Sequence, residues 1–123
     1  MLGVLLIDHG SRRQEANATL ADMAARLRAK APNLLCTHAH MELAEPSIRA
    51  GFAELAQRGA TEVRAVPYFL APGRHASEDI PRLVREAAEA FPQVAWRVCA
   101  CLGPHDLLAD LALLRAGWTP SAS

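Results

Sequence analysis

Apolar residues along the chain fall into two kinds of segment, which alternate from one end to the other. Four segments are mainly apolar runs of strand length, as expected for strands with both faces buried. They are Leu2–Ile7, Leu34–Met41, Glu62–Tyr68 and Val94–Ala100. After each run, apolar residues recur at the i, i+3, i+4 and i+7 spacing of one helix face. The chain is therefore predicted to form four strand–helix units.

The predicted helices have boundary residues that agree with this pattern. Their apolar faces lie within Leu20–Ala31, Ile48–Ala56, Ile80–Phe91 and Leu107–Leu114. Pro32 and Pro92 follow the first and third helices, where a helix cannot easily continue. Ser11 and Ser77 are candidate caps for the first and third helices, because a serine hydroxyl can accept a hydrogen bond from a free backbone N–H.

Four strand–helix units in succession predict an α/β domain, with a four-stranded, mostly parallel sheet and helices on both faces. The length of 123 residues fits one such domain. We place it at residues 1–118 and expect residues 119–123 to form a disordered tail. Ligands of open α/β sheets bind outside the carboxyl ends of the strands. Candidate functional residues are therefore those that follow each apolar run.

Composition narrows the class of protein further. The formal net charge at pH 7 is zero, which argues against nucleic acid or a membrane surface as the partner. The amino-terminal apolar run has only strand length and lacks the pattern of a signal peptide or a membrane span. We therefore expect a cytoplasmic protein that binds neither nucleic acid nor membrane.

The chain has three cysteines, Cys36, Cys99 and Cys101. An odd number at these spacings does not indicate a disulfide framework, and a zinc ribbon would need a second cysteine pair. Cys99 and Cys101 would share one face of the fourth strand. We expect these cysteines to be small buried hydrophobic residues.

Two histidines and a carboxylate are predicted at the carboxyl ends of three strands. His9 follows the first strand, Glu42 the second and His75 the third, so the fold would bring them to one rim of the sheet. Imidazole and carboxylate groups are ligands for divalent first-row metals. Three ligands leave coordination positions open, as a catalytic or metal-transfer site requires. Each histidine alone would be an ordinary loop residue, but together the three residues favour a metal site.

Three arginines, Arg12, Arg13 and Arg74, form a local basic cluster near the same rim. Guanidinium groups suit carboxylates and phosphates, so these side chains either bind an anionic substrate or are solvated surface charges. The sequence has no Walker loop and no G-x-G-x-x-G motif, so nothing specific supports nucleotide binding. Ser11 does not lie in a G-x-S-x-G elbow, which weakens the case for a serine hydrolase.

Four further polar residues each have two interpretations. Asp8 either orients His9 or serves as a turn residue that accepts local backbone hydrogen bonds. His38 and His40 share one face of the second strand: either they lie at a sheet edge, solvated or near a partner, or they bind a metal directly, which is favoured less for His38 than for His40. His105 either lines the cleft or caps the fourth helix at the surface.

Three ordered motifs, DHGSRRQEAN, MELAEPSI and VPYFLAPGRHASEDIP, resemble those of the CbiX family of sirohydrochlorin chelatases in its small single-domain form. The resemblance runs from about Val4 to Leu114. It implies a chelatase-like (flavodoxin-like) three-layer sandwich that inserts a divalent metal into sirohydrochlorin. Cobalt, on the cobalamin pathway, is the metal that the resemblance favours. Relatives insert iron for siroheme or nickel for the nickel tetrapyrrole of methanogens.

The resemblance also implies roles for individual residues. His9 and His75 match the metal-binding and catalytic histidines, and Glu42 matches the nearby acidic residue. Larger members contain two such domains in one chain, so a homodimer is the assembly implied here. No cofactor is implied beyond the metal, which is a substrate. Asp8 departs from the family pattern, since many members have glycine before the histidine, and this could alter the hydrogen bonding of His9.

The chemistry of metal insertion fits these residues. Insertion must exchange metal ligands and remove two pyrrole N–H protons, and one histidine nitrogen cannot hold a metal and a proton at once. Our hypothesis is that His9 and His75 hold the metal, while Glu42 and a released histidine accept protons. The residues expected to hold the tetrapyrrole are Arg12, Arg13 and Arg74 for its carboxylates and Tyr68, Phe69 and Leu70 for its apolar ring.

Two other functions stay open from the sequence. A non-catalytic protein that stores or delivers a metal or a tetrapyrrole would use the same residues without turnover. A phospho-acceptor signalling domain would need Asp8 in an acidic pocket with a lysine. The only lysine, Lys30, is predicted at a helix end away from the rim, which argues against that function.

Overall fold

Strands and helices alternate along the chain as predicted. The computed structural model describes residues 1–120, except for the side chain of His75. The elements are β1 (Leu2–Asp8), α1 (Gln14–Lys30), β2 (Leu35–His40), α2 (Ile48–Gln57), β3 (Glu62–Pro67), α3 (Arg74–Ala88), β4 (Ala95–Val98) and α4 (Asp106–Arg115). The four strands form one parallel sheet in the order β2–β1–β3–β4. The parallel sheet expected from the sequence is confirmed.

The sheet separates two apolar cores, one on each face. Leu5 and Ile7 of β1 belong to the larger core, beneath α2 and α3. Leu6 belongs to the smaller core, which α1 covers with Leu20 and Ala24. All five side chains are at most 3% exposed, and burying each leucine or isoleucine contributes about 1.5–3 kcal/mol. Alternate residues of one strand thus hold helices on both faces, which confirms the layered sandwich.

The fourth strand is shorter than predicted. β4 pairs only with β3, along Glu62–Ala65, so it is an edge strand. Trp96 and Val98 pack against the larger core, whereas Ala95 and Arg97 are exposed. Only one face of β4 is therefore covered, and the strand ends at Val98 instead of reaching Ala100.

The cysteines differ from one another in their surroundings. Cys36 is fully buried in the smaller core, and burial raises the pKa of its thiol above the ordinary value. Cys99 and Cys101 follow β4 instead of belonging to it, and both are partly exposed. The expectation of buried cysteines is therefore correct for Cys36 and wrong for the other two.

The two predicted serine caps are wrong. α1 begins without a side-chain cap, and the Ser11 hydroxyl instead accepts a hydrogen bond from the backbone N–H two residues later (3.0 Å). α3 begins at Arg74, so Ser77 lies inside the helix and its hydroxyl donates to the carbonyl four residues earlier (2.8 Å). Pro81 is accommodated within α3, because a proline removes one helical hydrogen bond without necessarily ending the helix.

α4 stands apart from the other elements. His105 caps it, since its Nδ1 accepts a hydrogen bond from the N–H of Leu107 (3.0 Å), which confirms the capping interpretation. Among the described residues, α4 packs against no other helix or strand. Leu107 and Leu114 are 71% and 70% exposed. None of the helices within residues 1–120 is long and apolar enough to cross a bilayer.

Met1 lies at the start of β1, at the opposite edge of the sheet from the carboxyl ends of the strands. The Met1 ammonium donates to the hydroxyl of Thr61 (3.3 Å), just before β3. Of the predicted tail, residues 121–123 lie outside the described part of the chain. Thr119 and Pro120 are exposed and belong to no helix or strand.

Candidate active site at the carboxyl ends of the strands

Loops after three neighbouring strands bring four of the predicted site residues to one rim of the sheet. His9 is the first residue after β1, Glu42 is the second after β2, and Tyr68 and Phe69 follow β3 directly. Parallel strands end at the same edge of a sheet, which is why residues distant in sequence meet here. His9 and Glu42 are exposed at this rim, and the two aromatic residues are partly buried.

Backbone pairing between β1 and β2 continues beyond the two strands. The N–H of Met41 donates to the carbonyl of Asp8 (2.9 Å), and the N–H of Glu42 donates to the carbonyl of His9 (3.1 Å). These two hydrogen bonds hold the backbone that carries the candidate proton acceptor directly beside the backbone that carries the candidate metal ligand.

Gly10 makes this close approach of the two loops feasible. Its φ is +90°, a conformation that L side chains rarely adopt, and an added Cβ would collide with the carbonyl oxygen of Glu42. The glycine in the DHGS motif is therefore required by the backbone next to the site.

His9 contacts an aromatic ring that follows β3. The ring centroids of His9 and Phe69 are 4.8 Å apart, and the planes are tilted by 45°. The preceding residue, Tyr68, donates its N–H to the carbonyl of Ile7 (2.7 Å) and packs against the core beneath α1. The backbone that carries Phe69 is thereby anchored to β1, and its ring supports the imidazole from one side.

His9 and Glu42 share a hollow of about 460 Å³. Its lining residues are His9, Met41, Glu42, Asp79, Arg82 and Leu83. Arg82 Nη2 lies 3.5 Å from Asp79 Oδ1. Sequence reasoning missed these two α3 residues, although Asp79 lies one helical turn after His75 and Arg82 lies one further turn on.

Two adjoining hollows extend the concave surface on either side of His9 and Phe69. A hollow of about 380 Å³ is lined by residues that include Asp8, His9, Tyr68 and Phe69. A more apolar hollow of about 500 Å³ is lined by residues that include Phe69, Ala76, Cys99, Cys101 and His105. The sequence pointed to His105 as either a helix cap or a cleft residue, and the structure gives it both positions. Because His9 and Phe69 are each shared by two hollows, the three hollows form one rim surface.

The predicted arginines are dispersed. Arg12 lines a hollow of about 570 Å³ with His38 and His40. This hollow shares Ser11 and Asn17 with the hollow that is lined by Asp8 and His9. Arg13 is exposed at the start of α1. Arg74 has a 92% exposed side chain, whose Nε is 3.7 Å from a carboxylate oxygen of Glu78. Leu70 is 68% exposed. The structure therefore brings together His9, Glu42, Tyr68 and Phe69, and leaves the arginines and Leu70 around them.

Asp8 has a partner that neither interpretation of the sequence included. Its Oδ1 lies 2.5 Å from Nδ1 of His40, and it does not bond to His9. His40 is 1% exposed, so the expectation of a solvated histidine at this position is wrong. His38 is half-buried on the same strand face, with its ring centroid 5.6 Å from that of His40. Burial is the main cause that lowers the pKa of His38.

No group of three metal-ligating side chains is found within the described part of the chain, which leaves out the side chain of His75. His75 is the second residue of α3, the helix that also carries Asp79 and Arg82. His9 with Glu42 offers one imidazole and one carboxylate. A third ligand from α3 would be needed for the predicted metal site.

Sequence comparison places these features among known proteins. The model of a protein family described as CbiX matches residues 3–117. The chloroplastic sirohydrochlorin ferrochelatase of Arabidopsis thaliana is 44% identical over 109 residues, which are 89% of this chain and 48% of that protein. The sirohydrochlorin cobaltochelatase of Methanococcoides burtonii is 32% identical over 123 residues, with 94% of each chain covered. The chain thus spans about half the length of the first relative and nearly all of the second.

Solved structures share the fold. A CbiX protein of Marinobacter aquaeolei VT8 has a TM-score of 0.77 and 27% identity, with 95% of this chain and 94% of that chain covered. SirB from Bacillus subtilis with Fe³⁺ has a TM-score of 0.83 and 26% identity, and the match covers 97% of this chain but 48% of SirB. The chelatase-like α/β sandwich expected from the sequence is confirmed.

Proposed function

The chain belongs to the CbiX family, and from this we propose that it catalyses the insertion of a divalent metal into sirohydrochlorin. The observation that carries the proposal is the hollow in which His9 and Glu42 lie side by side at the rim of the sheet. Insertion requires one group that binds the metal and another that accepts protons. An imidazole and a carboxylate can serve as these two groups. The metal is a substrate, and no further cofactor is proposed.

Each candidate residue has a distinct role in this proposal. His9 and His75 hold the metal against one face of the macrocycle and leave coordination positions open for pyrrole nitrogens. Glu42, exposed beside His9, accepts a proton from a pyrrole N–H as the metal enters. A histidine released from the metal accepts the second proton, because its nitrogen is then free.

The tetrapyrrole is proposed to lie over the aromatic pair that follows β3. Tyr68 and Phe69 line the same hollow as His9 and offer apolar surface next to the proposed metal ligand. Leu70 extends this surface outward. The exposed arginines Arg12, Arg13 and Arg74 are proposed to bind carboxylates at the edge of the macrocycle.

Cobalt is the metal that we propose for this chain. The relative from Methanococcoides burtonii, with which it aligns over 94% of both lengths, is named a cobaltochelatase. The 44% identical relative is named a ferrochelatase, and the same nitrogen and oxygen ligands accept iron and nickel. The choice of metal is therefore to be measured for Co²⁺, Fe²⁺ and Ni²⁺ side by side.

A homodimer is the proposed assembly, and the cytoplasm is the proposed location. The support for a dimer is that this chain matches about half of SirB, and that α4 exposes apolar side chains with no neighbouring element among the described residues. A second copy would occupy the place of the other half of a longer relative.

The decisive experiment is a steady-state insertion assay under anaerobic conditions, read by the absorbance change of sirohydrochlorin. We expect His9→Ala and His75→Ala to lower kcat by about 100-fold or more, and Glu42→Gln by at least about 10-fold. Glu54→Gln is the matched control, because Glu54 is an exposed α2 glutamate paired with Arg58 and lines none of the rim hollows. Circular dichroism checks that each variant is folded.

A non-catalytic protein that binds or delivers the metal or the tetrapyrrole is the alternative, and the same assay decides between them. Such a protein would bind sirohydrochlorin or the metal without accelerating insertion above the spontaneous rate. Absence of acceleration with all three metals would exclude the enzyme, and near-normal turnover by His9→Ala would show that the metal is held elsewhere.

A further inference from the structure

A carboxylate–imidazole pair joins the last residues of β1 and β2. Asp8 Oδ1 is 2.5 Å from His40 Nδ1, and the two residues face each other in the strand register. The side chain of His40 is 1% exposed and that of Asp8 is 21% exposed. A polar group this deeply buried costs free energy unless it is hydrogen-bonded, so His40 depends on Asp8 for a partner at Nδ1.

The pair lies just before the proposed catalytic residues in the loops that follow both strands. His9 follows Asp8, and Glu42 lies two residues after His40. The N–H of His40 also donates to the carbonyl of Pro46 (2.9 Å), at the far end of the loop that carries Glu42. His40 is thus bonded to β1 through its side chain and to the far end of the loop through its backbone, so this one residue connects β1 with both ends of the loop.

The loop needs such a connection because it lies at an edge of the sheet. β2 pairs only with β1, so the loop has a neighbouring strand on one side. Within the loop, Leu43 has a φ of +69° and is 56% exposed. A non-glycine residue in this region of φ persists only where the surrounding contacts hold the backbone in place.

We propose that Asp8 and His40 form a positioning pair for metal insertion, which fixes Glu42 relative to His9 through the ends of β1 and β2. The inference rests on the proposed function and deepens it, because it gives a role to the residue that departs from the expected family pattern. Asp8 also lines a hollow with His9, so a direct contact with substrate is the competing role that the test must separate.

The test compares Asp8→Ala, His40→Ala, the double variant and Asp8→Asn in the insertion assay. A positioning pair predicts that each alanine variant lowers kcat about 10-fold or more, with the KM for sirohydrochlorin within about twofold. The double variant is then no slower than either single variant, because both remove the same interaction. Asp8→Asn restores most of the rate, since its amide oxygen accepts the same hydrogen bond from Nδ1.

His38→Ala is the matched control. His38 is an imidazole on the same face of the same strand, two residues away, and is not bonded to Asp8. Its removal should leave kcat within about twofold. Equal losses in Asp8→Asn and Asp8→Ala would assign the carboxylate a direct role and overturn the proposal. Additive losses in the double variant would do the same.

Amide hydrogen exchange provides a readout without substrate. We expect the N–H of Glu42 to exchange faster in Asp8→Ala and His40→Ala than in the wild type, but not in His38→Ala. Should His40→Ala fail to fold, His40→Gln replaces it. Faster exchange with a normal kcat would overturn the positioning role. A wild-type protein that fails to insert any metal contradicts the proposed function instead, and the exchange data then still report whether the pair holds the loop.

Discussion

At the scale of single residues, Gly10 determines how closely two loops can approach. Two independent effects exclude a side chain at this position. One is the positive φ, which L residues rarely adopt, and the other is the Glu42 carbonyl, with which a Cβ would collide. The same chain offers a position where only the first applies. Gly59 has a φ of +107° but nothing within 4 Å of an added Cβ.

We predict that Gly10→Ala is more destabilising than Gly59→Ala. Backbone strain alone costs about 1–3 kcal/mol, so Gly59→Ala should lower the free energy of unfolding within that range. Gly10→Ala should exceed it and also reduce metal insertion, because the collision must displace Glu42 from His9. Urea unfolding of both variants measures the difference. Equal losses of stability would show that the loop yields to the new side chain.

His38 should make stability depend on pH. Burial is the largest cause of its lowered pKa, and the charges of His40 and Arg28 add to it, while Asp8 and Glu54 act in the opposite direction. As the pH falls below 6.5, the ordinary pKa of histidine, His38 is protonated in the unfolded chain before it is protonated in the folded protein. Stability contributed by neutral His38 is therefore lost as pH falls from 6.5 towards the folded pKa.

His38→Gln should accordingly reduce the loss of stability between about pH 7 and pH 5. Thermal unfolding of the wild type and the variant at a series of pH values measures this difference. Parallel pH curves for the two proteins would show that His38 is not the titrating group.

At the scale of elements, α4 is the helix whose sequence pattern and surroundings disagree. Its leucines have the spacing of a helix face, which predicts burial, yet Leu107, Leu111 and Leu114 are 71%, 43% and 70% exposed. An apolar helix face without an intramolecular neighbour is typical of an interface. This is the structural basis on which a second copy of the chain is proposed as its partner.

Replacing Leu107, Leu111 and Leu114 together by serine should convert the proposed dimer into a monomer. The fold of the monomer should persist, because α4 packs against no helix or strand in the described part of the chain. Sedimentation velocity measures the assembly, and circular dichroism measures the fold. The contrasting variant replaces Leu6, Leu20 and Leu55 in the buried cores by serine, and it should unfold. A wild type that sediments only as a monomer would contradict the dimer.

At the scale of the whole molecule, the sequence predicts the architecture well because the pattern repeats. Strands that are buried on both faces need helices on both sides of the sheet, and parallel strands then place His9, Glu42 and Tyr68 at one rim without any knowledge of side-chain contacts. The family motifs add the proposed chemistry. The four strand–helix units are thus encoded by local patterns of apolar residues, and the shared direction of the strands then determines the rim. Both can therefore be predicted from the sequence.

Features that depend on pairing between distant segments were not predictable in the same way. The Asp8–His40 bond arises from the register of β1 against β2, and a shift of one residue would place these side chains on opposite faces. Asp79 and Arg82 enter the site because of how α3 lies over the rim. The sequence marks each of these residues as polar, but it does not say which of them meet.

The position of Met1 suits binding measurements on an immobilised sample. Met1 directly precedes β1, which is seven residues long and ends at the rim, so Met1 lies about 26 Å from His9 along the strand. A group attached before Met1 can accordingly tether the chain to a sensor surface with the rim facing the solution. Binding of sirohydrochlorin and of each metal ion could then be followed on one immobilised sample, without a tag or a linker near the site.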